Sequence, residues 1–168
     1  MKTILTVLAS IFLLQCSTPP KATDNFDKLL DEEALGNIKL GQKEEAVLKI
    51  LGKRGSTGKN VLWEATGDWV QEWKFPAQGI SLNMASQEER GTKSVLTITG
   101  AAGCKVATAR GIKIGSSETA VRNAYGDLEN KEESEAGKSF VAGSIYGGVI
   151  FSLKDGKVEQ IFIGAGAE

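Results

Sequence analysis

Two segments of this chain, residues 36–52 and 110–126, match each other closely enough to constrain the whole fold. They align over seventeen residues without a gap, at a constant offset of 74 residues. Self-similarity at a fixed spacing is typical of a structural unit that is used twice. The sequence therefore predicts an internal repeat, with identical residues at seven positions: Ile38/Ile112, Lys39/Lys113, Gly41/Gly115, Glu44/Glu118, Ala46/Ala120, Val47/Val121 and Gly52/Gly126.

Each copy has the pattern of a short extended segment, a glycine turn and a short helix. Apolar and polar residues alternate before Gly41 and Gly115, as they do in a half-buried extended segment, and glycine allows the sharp turn that follows. Ser116 is the predicted cap of the second helix. Gly52 and Gly126 stand where a helix end favours positive φ. Each predicted helix has about ten residues, too few for stability without packing partners.

Short β-like segments follow each copy. They are 61–65, 69–75, 80–84 and 95–99 after the first, and 139–142, 144–146, 149–153 and 158–163 after the second. A helix is predicted over 26–34, before the first copy. We therefore predict an α+β fold of two tandem repeats, 26–100 and 101–168, each with short helices packed on one face of an antiparallel sheet.

The N-terminus has the pattern of an export signal. Lys2 precedes an apolar run over residues 4–14, which is shorter than the about 20 apolar residues that span a bilayer. Cys16 follows this run at the place where cleavage would fall. The arrangement resembles the lipobox of bacterial lipoproteins, in which the cysteine is acylated and becomes the mature N-terminus. Gln15 stands where that family usually has a small residue.

This resemblance implies a lipoprotein signal peptide over 1–15, lipidation of Cys16 and a tether over 16–25. The tether contains Pro19, Pro20 and small polar residues, a composition that favours extended chain. The protein would be anchored to a bacterial envelope membrane through the lipid on Cys16, facing the periplasm or the cell surface. The alternative is an ordinary signal peptide that happens to contain a cysteine.

The repeated unit carries a second resemblance. Its pattern is Ile-x-Ile-Gly, a helix start with Ser or Lys followed by Glu, then Val and a closing glycine. This pattern is similar to bacterial lipoproteins with the β-lactamase-inhibitor-protein-like fold, and residues 108–115 match it most closely. Small outer-membrane assembly lipoproteins of the same broad architecture use a similar unit. The resemblance implies a fold with several functions and no catalytic residue.

The composition argues against several classes of function. The chain has no histidine, which removes the commonest general base and histidine-ligated zinc. After Cys16 the remaining cysteine is Cys104, which is predicted to be a small buried hydrophobe. Lys and Arg number 20 and Asp and Glu 21, without a basic block, so nucleic-acid binding is not indicated. No pattern for a metal or cofactor is present, and residues 52–59 are predicted to be a glycine-rich surface turn, not a phosphate loop.

Four aromatic residues form the candidate binding site. Trp63, Trp69, Trp73 and Phe75 lie within thirteen residues and include all three tryptophans. A two-residue turn at Gly67-Asp68 would place Leu62 opposite Trp73, with Leu62, Trp69, Trp73 and Phe75 on one face and Trp63 on the other. An exposed aromatic cluster is typical of a protein-binding surface. The alternative is that these residues fill the core.

Two classes of function follow from these patterns. The first is a lipid-anchored envelope protein that binds or scaffolds another protein without catalysis. The alternative is a proteinaceous inhibitor of a periplasmic or extracellular enzyme, as the fold resemblance permits. An envelope hydrolase is disfavoured by the absence of histidine.

Overall fold

The computed structural model describes residues 28–166, which fold mainly as β-structure. Helix α1 spans Glu44–Leu51, helix α2 spans Glu118–Tyr125, and a 3-10 turn (Gly126–Leu128) follows α2. The strands are β1 (Ser56–Trp63), β2 (Asp68–Phe75), β3 (Ile80–Ser86), β4 (Ser94–Gly100), β5 (Ser139–Ser144), β6 (Gly147–Lys154) and β7 (Lys157–Gly164). Within the predicted helix over 26–34, residues 28–32 are helical. The predicted signal peptide, Cys16 and the tether lie outside the described residues.

All seven strands belong to one antiparallel sheet with the order β1-β2-β3-β4-β7-β6-β5. The two halves of the chain meet where β4 pairs with β7, for example at Ile98 and Ile163. Buried residues from both halves form one continuous core. The predicted α+β arrangement of two tandem helix-on-sheet repeats is therefore wrong, because the structure is a single seven-stranded sheet with a few short helices.

The segment just before the first turn shows why two separate units do not form. It belongs to the predicted first repeat, 26–100, yet it packs against the second half of the chain. Leu35 forms a β-bridge with Thr108, and the Gly36 N–H donates to the Ala107 carbonyl at 2.8 Å. Leu35 is fully buried. The apolar surface of each half is thus covered in part by the other half, which favours one shared core.

The two similar segments nevertheless dock on the sheet in the same way. The Gly41 N–H donates to the Val95 carbonyl at the start of β4, and the Gly115 N–H donates to the Val158 carbonyl at the start of β7. A repeat predicts that matched residues occupy matched environments, and the structure confirms this for Ile38 and Ile112 and for Val47 and Val121, which are all buried. Each eight-residue helix thus gains its stability from packing, since helices this short are marginal alone.

Several local predictions need correction. Ser117, not Ser116, caps α2, and its hydroxyl accepts the Ala120 N–H at 3.2 Å. Gly52 has the expected positive φ of 78°, whereas Gly126 has φ −62° because the chain continues into the 3-10 turn. The predicted strand 144–146 is instead the end of β5 and the turn into β6, and β1 begins at Ser56, five residues earlier than predicted.

Candidate protein-binding site

The four candidate aromatics separate into two buried and two half-buried residues. Trp73 and Phe75 are in the core, where they lie opposite Leu82 and Ile80 of β3. Trp63 and Trp69 are half-buried, at the end of the β1–β2 hairpin that is remote from the core. The structure therefore leaves Trp63 and Trp69 as candidates for contact with a partner and removes Trp73 and Phe75.

The hairpin register differs from the predicted one, but the predicted faces are correct. A four-residue turn closes the hairpin, and the Gly67 N–H donates to the Trp63 carbonyl at 2.8 Å. Leu62 consequently lies opposite Trp69, not Trp73. A shift by an even number of residues keeps every side chain on its face. Leu62 and Trp69 thus lie on the helix-covered face, and Trp63 and Val61 lie on the other.

Trp73 is covered by polar groups as well as by the core. Its indole N–H donates to Gln71 Oε1 at 2.9 Å, and the Gln71 amide donates to the Gly58 carbonyl at 3.1 Å. The Arg54 guanidinium carbon lies 4.2 Å from the centre of the Trp73 ring, which is a cation–π distance. These contacts hold the start of β1 against β2, so the buried Trp73 side chain stabilises the hairpin.

Strand β1 is the most exposed strand of the sheet. Six of its eight residues are exposed and two are half-buried. Val61 is 49% exposed and Leu62 is 43% exposed, values that are high for apolar residues in a strand. Within residues 28–166, β1 pairs only with β2, so the backbone groups on its other side have no strand partner. We call Val61, Leu62, Trp63 and Trp69 the hairpin edge.

The opposite side of the sheet is covered. The loop after α2 forms β-bridges with β5 at Glu129–Ala142 and Glu135–Ser139. The Asn130 N–H also donates to the Val141 carbonyl at 2.8 Å. Proteins commonly cover sheet edges in this way, because an uncovered edge can pair with another chain. The difference between the two edges makes β1 the candidate site.

A buried lysine fixes the hairpin edge in place. Lys93 is 7% exposed, and its ammonium donates to Asn60 Oδ1 at 2.7 Å, to the Trp69 carbonyl at 3.2 Å and to Ser86 Oγ at 3.2 Å. Burial lowers the pKa of Lys93, and the nearby Glu44 carboxylate acts in the opposite direction. One side chain thus links β1, β2 and β3 through hydrogen bonds, an arrangement that favours an edge already ordered before a partner binds.

The start of β1 is positively charged. Lys53, Arg54 and Lys59 are all exposed, and residues 52–63 contain no Asp or Glu. Lys53 and Arg54, together with Leu48 and Thr57, line a groove of about 630 Å³ between the end of α1 and the start of β1. The groove lining ends at Thr57, and the hairpin edge begins at Val61, so cationic surface precedes apolar surface along this part of the chain.

A second polar cluster lies inside the protein. Glu33 is 1% exposed and accepts the Ala34 N–H at 3.0 Å, the Ala109 N–H at 2.7 Å and the Tyr125 hydroxyl at 2.8 Å. The hydroxyl oxygens of Tyr125 and Thr108 are 2.7 Å apart. Burial is the main cause that raises the pKa of Tyr125. Both Glu33 oxygens are satisfied by hydrogen bonds, so this cluster fixes the packing of the two halves.

Sequence reasoning gave no indication that Glu33 is buried, because it lies in an acidic run with Asp31 and Glu32. Both neighbours are exposed. The prediction for Cys104 is confirmed: it is buried, and burial raises the pKa of its thiol. Among residues 28–166, no three His, Cys, Asp or Glu side chains come together as a metal site. In the same part of the chain, no helix combines the length and apolar character needed to cross a bilayer.

Comparisons with the profiles of known protein families, with curated proteins and with solved structures find no match to this chain.

Proposed function

We propose that this protein is a lipid-anchored protein of the bacterial envelope that binds another protein through the hairpin edge and performs no catalysis. The observation that carries the binding site is the uncovered β1, whose apolar residues remain exposed beside two half-buried tryptophans. Aromatic residues that become buried on binding contribute much of the free energy of protein interfaces. The buried polar clusters around Glu33 and Lys93 are saturated by internal hydrogen bonds, which supports a structural role for both.

The anchor is tested by replacing Cys16 with serine. We expect the variant to lose fatty-acid labelling and to leave the membrane fraction, because the acyl chains on Cys16 are the proposed anchor and stable anchoring needs two or more such chains. The measurement is metabolic labelling with a fatty-acid analogue, followed by fractionation. Membrane retention and labelling in Cys16→Ser at the level of the unmodified chain would contradict the proposal.

The binding site is tested with two tryptophan variants and a matched aromatic control. A partner is first captured in cells with a photo-crosslinking residue in place of Val61, and its affinity for the purified protein is then measured. We expect Trp63→Ala or Trp69→Ala to weaken binding by about 2 kcal/mol, which is about 25-fold in Kd. Tyr146, which is 71% exposed on the turn between β5 and β6, serves as the control.

The expected result is that Tyr146→Ala binds as well as the unmodified protein. Thermal unfolding of each variant separates loss of binding from loss of folding. If the hairpin variants and the control variant changed the Kd for the partner equally, the hairpin edge would be refuted as the binding site.

A further inference from the structure

We infer that the partner binds by adding an extended, acidic segment to β1 as an eighth strand of the sheet. This inference rests on the proposed function and specifies how the hairpin edge is used. Three features carry it: the unpaired backbone of β1, the alternation of its exposed apolar side chains, and the positive charge of residues 53–59, which lead into the strand and form its first half.

The backbone of residues 60–63 offers a regular edge. Asn60, Val61, Leu62 and Trp63 pair one-to-one with β2, after an irregularity between Thr57 and Asn60. Their remaining backbone groups face away from the sheet, and no strand within residues 28–166 takes them up. An added strand obtains its affinity from these main-chain groups.

The side chains of this edge favour a strand over a partner that docks on one face. Val61 and Leu62 are adjacent, so their side chains point to opposite faces of the sheet. Both are more than two-fifths exposed. An extended segment lying along the edge also alternates its side chains between the two faces, so it contacts Val61 and Leu62 at the same time. A surface that docks on one face reaches one of them.

The cations just before β1, Lys53 and Arg54, and Lys59 within its first half select an acidic partner. Within the described residues, Lys53 and Lys59 form no ion pair with a carboxylate, and Arg54 stacks on Trp73. An exposed cluster of one sign attracts and orients a partner of the opposite sign.

The test uses the full-length chain in its native cells, with a photo-crosslinking residue at position 61, 62 or 146. We expect positions 61 and 62 to crosslink to one and the same segment of a partner, and position 146 not to. Mass spectrometry of the adduct should identify a segment of net negative charge. The variant Lys53→Glu/Lys59→Glu should lower the crosslinking yield at positions 61 and 62 about tenfold, because it reverses two charges that attract the acidic segment.

The matched control is Lys154→Glu/Lys157→Glu, which reverses two exposed lysines at the β6–β7 turn and should leave the yield unchanged. Thermal unfolding confirms that both double variants fold. Three results would overturn strand addition and leave the proposed binding function standing. They are a crosslinking yield that Lys53→Glu/Lys59→Glu does not change, adducts at only one of positions 61 and 62, and a crosslinked segment that is neutral or basic. Strand addition by an acidic partner would also be overturned by crosslinks to residues 17–27 of the same chain, to a second copy or to lipid. If neither position gives an adduct above position 146, the proposed hairpin site itself fails.

Discussion

Replacing Glu33 with alanine should be among the most damaging single changes in this protein. The carboxylate is 1% exposed and accepts three hydrogen bonds at 2.7 to 3.0 Å. A buried donor left without an acceptor costs about 1–3 kcal/mol. Tyr125 can turn its hydroxyl proton toward Thr108, and the Ala109 N–H keeps its second acceptor, the Ala34 carbonyl at 3.1 Å. The Ala34 N–H is then left unsatisfied, and the hydrogen bonds of Tyr125 and Ala109 to a charged acceptor are lost. We therefore expect Glu33→Ala to lower the free energy of unfolding by about 2–4 kcal/mol.

The isosteric variant Glu33→Gln distinguishes lost hydrogen bonds from lost volume. Its amide oxygen can accept both backbone N–H groups, and its amide nitrogen then faces the Tyr125 hydroxyl. One hydrogen bond to a charged acceptor is lost, so the expected cost is about 1–2 kcal/mol. Glu32→Ala is the control, because Glu32 is an exposed neighbour in the same acidic run and should change stability by less than about 0.5 kcal/mol.

The measurement is urea unfolding followed by tryptophan fluorescence, with the slope compared among variants. Two results would refute the reasoning. One is a cost for Glu33→Ala below about 1 kcal/mol, which would mean that water replaces the carboxylate without penalty. The other is equal destabilisation by alanine and glutamine, which would mean that side-chain charge matters and hydrogen-bond geometry does not.

Three further predictions follow from buried groups. Burial raises the pKa of Tyr125 above the value near 10 of the unfolded chain, so the contribution of this hydroxyl to stability is present below pH 10 and is lost as pH rises further. Stability measured as a function of pH should therefore fall less steeply above pH 10 in Tyr125→Phe than in the unmodified protein. Ile38→Ala and Ile112→Ala should each cost about 2–5 kcal/mol in chemical unfolding, because both residues are buried in matched environments, and a cost at only one site would contradict that match. Lys93→Met should keep the apolar stem and lose the bonds to Asn60, so amide exchange in β1 should accelerate while exchange in β6 stays unchanged.

The local elements could be predicted from the sequence because their signals are local. The alternation in residues such as Val149, Phe151 and Leu153 identified a strand, and all three are buried in β6. The match between Ile38 and Ile112 likewise predicted two equally buried positions. These patterns depend on which face of an element is covered, and any compact arrangement that covers the same face satisfies them.

The joining of the two halves could not be predicted in this way. Whether β4 ends one sheet or pairs with β7 depends on contacts between residues far apart in the chain, such as Ile98 and Ile163. No local pattern distinguishes the two cases, since either arrangement leaves an alternating strand. The burial of Glu33 was missed for the same reason, because its partners Ala109 and Tyr125 are far along the chain.

The candidate site was predicted in part. All three tryptophans lie on the β1–β2 hairpin, and the even shift in register preserved the predicted faces. The sequence did not indicate that β1 extends back to Ser56 as an exposed strand, because residues 56–60 have little apolar character. Their strand conformation is imposed by pairing with β2, as tertiary context often overrides intrinsic preference.

The unequal edges of the sheet also limit how copies of this chain can aggregate. Fibrils grow when each added molecule presents a fresh edge to the next one. Here the loop bridges at Glu129 and Glu135 cover β5, so a copy that joined through β1 would offer no second edge within the described residues. Growth would stop at two molecules. The sheet can therefore keep one strand edge exposed to a partner without forming polymers through that edge.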